Sequence, residues 1–552
     1  MRRRTVAPLG SRRPRRAIGS GRLFPQILCL IMGIAIASAA PAGTSTASPQ
    51  PIVGTKEGRL LGQRSGGVDR FLGIAFAAPA QRWTPAARPT RWAGLRGATK
   101  SRQGCAAPNS GDGPESLNED CLYLDIYRPA GVRRGARLPV IVFLHGGGNN
   151  WGSPAIYDGE RIARVAGAIV VIPAYRLGPF GFLALAGGSE AARARGDIGV
   201  GDQIAALRWT ADHIAAFGGD PAQVTLAGES AGAADVCALL ATPAARGLFG
   251  RAVMQSGFCG NVNVAIGDAE RIGAAVAREA GCEDRAPLLC LRAKPAGEIL
   301  RAWAAVWGAR RALDPMPLFP TIPYGTSTLP EMPRAAAEAG RIAPVPLLIG
   351  FDRDELRSML GALLPLDAGR YRAMIARAYG PLAGAISQEY PASDGSPFDA
   401  LAALRSDHLI ICPSIEIATV FAHRNPVAMF EFSDRTAPPF QSLGTGGGKA
   451  APEFNRGASH TVELQYLFGY RAAAHGLSAD QQALADEMAH RWVRFARDGV
   501  TAPWKPFDRQ MPAITRFALP QDGGIVVRND IADEHRCRFW HDHDMAVSTI
   551  AP

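Results

Sequence analysis

The stretch 224–232 (VTLAGESAG) constrains this chain more than any other. Val224, Thr225, Leu226 and Ala227 favour a buried strand. They run into Gly228, Glu229, Ser230, Ala231 and Gly232, and small residues follow. The pattern predicts a strand, a very tight turn and the first turn of a helix. A serine at the apex of such a turn is held clear of the backbone, where its hydroxyl can attack a carbonyl carbon. Gly228 and Gly232 suit it because side chains there would collide where strand and helix nearly touch. With 62 glycines in 552 residues, a G-x-S-x-G match is weak evidence alone, and its weight comes from its surroundings.

Those surroundings are orderly. The continuous apolar run 139–144 predicts a strand covered on both faces, ending in His145, Gly146, Gly147 and Gly148. A second such strand spans 168–172. Ile204, Leu207, Ala211, Ile214 and Phe217 recur at helical spacing and predict a helix over 201–217. Gly218, Gly219, Asp220 and Pro221 stop it. The nucleophile strand begins near Gln223, with further strands over 251–254, 346–349 and 427–432. A late amphipathic helix carries Ala485, Met488, Trp492 and Phe495. Residues 52–76 read as strands punctuated by glycine turns, and a loop with proline and tryptophan follows over 82–92. Strands alternating with helices, without internal repeat or long linker, predict an α/β fold in one domain over 40–552. Its central sheet is mostly parallel, with helices on both faces.

Charge excludes one function class. The formal net charge is +11, but residues 1–39 hold eight arginines and no acid, which leaves +3 for the rest. The basic signal belongs to a leader, so no nucleic-acid partner is expected. That leader has a basic region, an apolar run over 27–36 and the A-x-A pattern Ala37, Ser38, Ala39, as in a secretory signal peptide. The run is short for a membrane span, and no second one follows. The mature chain is therefore expected in a secreted or periplasmic compartment. Beyond Cys29 in the leader, eight cysteines fit an oxidising compartment. No C-x-x-C pair points to zinc.

A serine hydroxyl needs a neighbouring base, the base needs an orienting group, and the tetrahedral intermediate needs fixed N–H donors. Consecutive glycines after a core strand let backbone N–H groups approach a substrate oxygen. Ala231 adds an N–H at a helix N-terminus, where negative charge is favoured. Gly147, Gly148 and Ala231 are the expected oxyanion donors, with His145 bracing the loop. The base and acid should follow the serine in the chain. Eight histidines do so: His408, His423, His460, His475, His490, His535, His541 and His543. The residues alone leave the choice open, although His460 ends a glycine-rich loop after a strand. Asp354 and Glu355, just past the strand 346–349, are well placed for the acid.

Further motifs occur in a telling order: FLGIAFA (71–77), EDCLYL (119–124), the glycine loop, YRLGPFGFL (175–183) and FGGDP (217–221) running into the serine turn. QSG (255–257), GFDRDE (350–355) and GASH (457–460) follow. From about residue 52 to 540 the chain resembles the type-B carboxylesterases, the cholinesterase-like branch of the α/β-hydrolases. The resemblance implies Ser230 as nucleophile, His460 as base and Glu355 as acid, with Glu229 and Ser256 supporting the histidine. It also implies disulfides Cys105–Cys121, Cys282–Cys290 and Cys412–Cys537. Cys237 and Cys259 are left over, either as buried thiols or as an extra pair, and free thiols are the favoured expectation.

The implied protein is a secreted serine esterase for uncharged or weakly charged carboxylic esters, working through an acyl-enzyme with neither cofactor nor metal. Its activity should rise with pH as His460 becomes neutral, at about 6 to 7. Departures qualify the substrate. The segment 105–121 lacks tryptophan, so the choline-binding aromatic of cholinesterases has no counterpart. Leu356 and Thr461 replace glycines common in the family. Asn149, Asn150 and Trp151 are unusually polar for their position. That patch motivates the alternative of an esterase specialised for a bulky phenolic or polyketide side-chain ester. A non-catalytic binding module is the other rival, but such relatives lose the serine or histidine that this chain keeps. Two resemblances are decoys. The stretch 444–449 lacks the first glycine and the Ser/Thr of a phosphate loop, and His541, Asp542, His543 and Asp544 read as a solvated tail.

Overall fold

The apolar runs of the sequence become the strands of one sheet. The computed structural model describes residues 49–543 except 79–80, 109–115, 188–193, 258, 260–262, 284–285, 314–321, 393–395, 439–453 and 470–475. The leader 1–39 and the segment 444–449 lie outside the described residues. The strands are β1 (Gln63–Ser65), β2 (Val68–Ala75), β3 (Tyr123–Pro129), β4 (Leu138–Leu144), β5 (Ile169–Pro173) and β6 (Gly219–Glu229). They continue as β7 (Arg251–Gln255), β8 (Leu347–Asp352), β9 (Val427–Phe432), β10 (Ile514–Phe517) and β11 (Ile525–Arg528). Across the sheet they run β11-β10-β9-β8-β7-β6-β4-β5-β3-β2-β1. The strands from β10 to β5 are mutually parallel. The two edges are antiparallel additions. A separate small sheet joins Ile52–Gly54, Arg59–Leu61 and Leu95–Gly97.

Period-two alternation places the core on both faces. Val140, Val142 and Leu144 point into one apolar cluster, and Ile141 and Phe143 into the other. Helices α1 (Ile198–His213) and α2 (Ala231–Ala241) pack on the first face through residues such as Leu207 and Val236. Two further helices, α3 (Ile266–Glu279) and α4 (Ala296–Leu313), share a satellite core around Trp303 and Trp307. Helix α5 (Ala479–Asp498) covers the second face with Ala485, Met488 and Trp492. It starts on a capping box between Ser478 and Gln481, which satisfies two otherwise orphaned N–H groups. Among the described residues no helix is long and apolar enough to cross a membrane.

Three disulfides match the expected pairs, Cys105–Cys121, Cys282–Cys290 and Cys412–Cys537. The expectation of free thiols at Cys237 and Cys259 is corrected, because these two are also bonded. Cys237 lies on α2 and Cys259 in the loop leaving β7, and packing of that helix against that strand brings their Cα atoms to 5.5 Å. A disulfide spans that distance without moving the backbone.

Candidate active site

Every implied site residue lies at or beyond the carboxyl end of a parallel strand, where open α/β sheets place their crevices. β4 ends at Leu144 before the glycine loop, β6 at Glu229, β7 at Gln255 before Ser256, and β8 at Asp352 before Glu355. The strand-to-helix turn is as tight as the sequence predicts. A Cβ on Gly228 would lie 2.4 Å from the backbone of Gly232, and one on Gly232 2.1 Å from the Leu144 carbonyl oxygen. Ser230 adopts φ 56° and ψ −122°, a conformation that persists only where its surroundings over-determine it. Its N–H donates to the Gln255 carbonyl at 2.9 Å, which ties the apex to β7.

The structure brings Ser230, His460 and Glu355 into one chain of contacts. His460 Nε2 lies 2.9 Å from Ser230 Oγ, and His460 Nδ1 lies 2.7 Å from Glu355 Oε2. Glu355 Oε1 accepts the Asp352 N–H at 2.9 Å, which fixes the carboxylate plane. Exposure is graded along the chain. Glu355 is 0% exposed, His460 1% and Ser230 9%, so only the serine reaches outward. Asp354, the other acid of the pair, turns away to pair with Arg435 and accepts the Ala458 N–H at 3.0 Å, anchoring the loop that carries His460. Thr461 adopts φ 76°, a region that β-branched residues rarely enter and glycine enters freely.

Of the residues implied to support the histidine, Glu229 does reach it. Its Oε1 lies 3.3 Å from His460 Nε2. Ser256 Oγ is buried and makes no hydrogen bond among the described residues. Burial lowers the His460 imidazole, but the carboxylates of Glu229 and Glu355 outweigh it and raise the group above its ordinary value. Burial also pushes Glu229 upward, opposed by the charge on His460. Glu355 is the closer of the two and the one that also hydrogen-bonds the ring.

Behind this chain lies an acidic layer that the sequence reading does not single out. Glu463, three residues after His460, accepts from Gln255 Nε2 at 3.1 Å and lies beside Asp352. Burial raises Glu463 to about 7 and Asp352 well above its ordinary value. Both Asp352 side-chain oxygens and Glu463 Oε2 find no donor among the described residues. An acid set among apolar neighbours, as Glu463 is between Val462 and Leu464, was the available signal. No group of three or more side chains suited to a metal ion occurs among the described residues.

The glycine loop passes beside the serine: a Cβ on Gly146 would lie 3.0 Å from Ser230 Cβ. Gly147 and Gly148 take φ of 110° and 61°. A Cβ on Gly147 would lie 2.2 Å from the Trp151 carbonyl oxygen. Their N–H groups find no protein acceptor among the described residues, and Ala231 begins α2 directly after the serine. Burial lowers His145 to about 4, so it is neutral, and its Nδ1 bonds the Gly146 carbonyl at 2.9 Å while its ring stacks on Tyr175. The polar Asn149 and Asn150 turn out to be only 2% and 8% exposed. Their amides are engaged within the protein rather than offered to a pocket.

A largely parallel sheet with a nucleophile-type turn at the carboxyl end of a central strand defines an α/β-hydrolase. Residues 49–540 match the model of the carboxylesterase family. The chain is 31% identical over 520 residues to the para-nitrobenzyl esterase of Bacillus subtilis (strain 168), covering 89% of this chain and 98% of that one. It is 32% identical over 507 residues to the fumonisin B1 esterase of Sphingopyxis macrogoltabida, covering 87% and 88%. A solved thermophilic PNB esterase superposes with a TM-score of 0.72 at 29% identity, covering 88% of this chain and 99% of that one. The chain belongs to the carboxylesterase family and is a carboxylic-ester hydrolase.

Proposed function

We propose that the protein is a secreted serine esterase in which Ser230 attacks the ester carbonyl, His460 moves the proton and Glu355 orients the histidine. The observation that carries this reading is the unbroken series Ser230 Oγ, His460 Nε2, His460 Nδ1, Glu355 Oε2, at 2.9 and 2.7 Å. As Oγ bonds to the carbonyl carbon, its proton passes to Nε2. The resulting imidazolium is held by the Glu355 carboxylate, and the oxyanion takes the Gly147, Gly148 and Ala231 N–H groups. His460 then protonates the departing alcohol. Water repeats the sequence on the acyl-enzyme and releases the acid. Four disulfides favour an oxidising compartment, in keeping with removal of the leader 1–39 on export. Relatives named for para-nitrobenzyl and fumonisin B1 esters support small carboxylic esters as the substrate class.

An aryl phosphonate should abolish activity at one equivalent per chain and leave its adduct on the peptide containing Ser230. Full labelling at another residue, or activity surviving labelling, would remove Ser230 from its role. The pH profile gives a second test. His460 works as a base only when neutral, so kcat/KM rises with pH through its pKa. Because that pKa is raised, the acid limb should lie above the ordinary imidazole value of about 6.5. Glu355→Gln should move the limb downward while lowering kcat. A limb that stays in place in that variant would contradict the pairing.

A further inference from the structure

Asp235 is a buried carboxyl that the hydrolytic steps do not use. It lies on α2, five residues after Ser230, with 0% of its surface exposed. Its Oδ1 accepts from Asn149 Nδ2 at 2.8 Å and its Oδ2 from Gln203 Nε2 at 2.5 Å. Asn149 directly follows Gly147 and Gly148, and with φ 55° it extends their left-handed run to three residues. Such a run at a residue with a side chain persists only when the surroundings hold it. Here the holders are Asp235 on the side chain, the Tyr175 hydroxyl 3.3 Å from Asn149 Oδ1, and the Gly178 N–H donating to the Asn149 carbonyl at 2.6 Å.

The turn at Asn149 determines where the loop's N–H groups point. It brings the Asn150 and Trp151 N–H groups to the Gly147 carbonyl, at 3.0 and 3.2 Å. In a trans peptide the N–H points opposite the C=O, so fixing that carbonyl aims the Gly148 N–H to the other side. His145 Nδ1 does the same for the Gly146 carbonyl and hence for the Gly147 N–H. Asn150 Nδ2 closes the arrangement by donating to the Gly148 carbonyl at 2.7 Å, while its Oδ1 accepts from Trp303 Nε1 at 2.6 Å.

We propose that Asp235 is a positioning residue of the oxyanion hole: through Asn149 it ties the loop bearing the Gly147 and Gly148 N–H groups to the helix that Ser230 begins. The nucleophile and the donors then move as one body. This rests on the reading of Ser230 as nucleophile and of the glycine loop as oxyanion hole.

Asp235→Leu removes the acceptor at similar volume. Asn149→Gly removes the amide and tolerates the positive φ. Each should lower kcat on an aryl ester by about 10- to 100-fold with KM within about threefold, less than the 10²–10³ that follows loss of a whole donor. Affinity for a trifluoromethyl ketone, whose adduct carries the oxyanion, should fall in step with kcat/KM, and affinity for a non-cleavable amide analogue should not. Asp235→Asn should restore kcat to within about threefold. Gln203 Oε1 has no partner among the described residues, so that amide can rotate to accept from the new side chain and leave the oxygen for Asn149. Folded Asp235→Leu and Asn149→Gly proteins with a lower Tm but wild-type kcat and ketone affinity would overturn the proposal. If Asp235→Leu does not fold, Asn149→Gly decides alone. Turnover retained in Ser230→Ala would instead overturn the underlying reading. An inactive Ser230→Ala beside unaltered Asn149→Gly would overturn the positioning role only.

Discussion

Ser230→Ala should lower kcat on an aryl ester by about a million-fold, His460→Ala should do the same, and the double variant should be no slower than either. The serine and histidine act as one unit in the proposed mechanism. Once either is lost, the attack on the carbonyl passes to water, and removing the other has nothing further to abolish. Such a loss is about 8 kcal/mol of transition-state stabilisation. Glu355→Gln should cost less, about 10⁴-fold, because Ser230 and His460 remain and only the tautomer and the imidazolium lose support. All four variants should keep the strained backbone at position 230, since the fold rather than the hydroxyl imposes φ 56°. Activity remaining in each should still exceed the rate in water, carried by the N–H groups of the glycine loop and Ala231. A double variant slower than the singles by another thousand-fold would show independent contributions and sink the unit.

The parallel centre of the fold was legible because its strands are covered on both faces and therefore read as unbroken apolar runs, as in β4 and β5. The edges were not. β10 carries Arg516 in a four-residue segment, and its charge is hidden only because Glu431 and Glu534 meet it from other elements. β11 exposes Val526 and Val527, so its pairing leaves no core pattern. Helices α3 and α4 pack mainly on one another in a satellite core, and their spacing does not reveal what they cover. The same division holds at the site. The serine turn and glycine loop are local signals, dictated by steric limits within a few residues. The contact of Asn149 with Asp235 joins residues 86 apart and needs the folded sheet to exist. The Cys237–Cys259 bond likewise depends on how α2 packs on β7, which spacing in sequence does not encode.

A second large effect is expected far from the serine, at His535. It is 6% exposed, and both ring nitrogens face carboxylates: Nδ1 lies 2.7 Å from Asp407 Oδ1, and Nε2 3.0 Å from Glu431 Oε1. Two acceptors require two donors, so the ring is an imidazolium. Burial opposes that charge, but the bonds to Asp407 and Glu431 outweigh it and raise the group to about 10. Asp407 is itself pushed upward by burial despite its bonds to His535 and Tyr390, so the assembly is held by mutual compensation. Removing the cation leaves two buried carboxylates facing each other's side of an empty site, a loss of about 3–5 kcal/mol. For a domain of roughly 500 residues, with a melting entropy of about 1 kcal/mol/K, His535→Leu should lower Tm by about 3–5 °C at pH 7. The sign of the pH dependence follows from the raised pKa. The charge contributes fully below about 6.5, and its contribution is lost as pH rises towards 10, leaving about a third of the pH 7 value at pH 9. The Tm gap between wild type and variant should narrow accordingly; a gap constant from pH 6 to 9.5 would refute the charged ring. Asp407 adjoins Ser406, whose Oγ accepts the Leu356 N–H at 2.9 Å, one residue from Glu355. The imidazolium therefore props the turn that presents Glu355 to His460 through backbone rather than through charge, and kcat measured well below Tm should stay within about threefold of wild type.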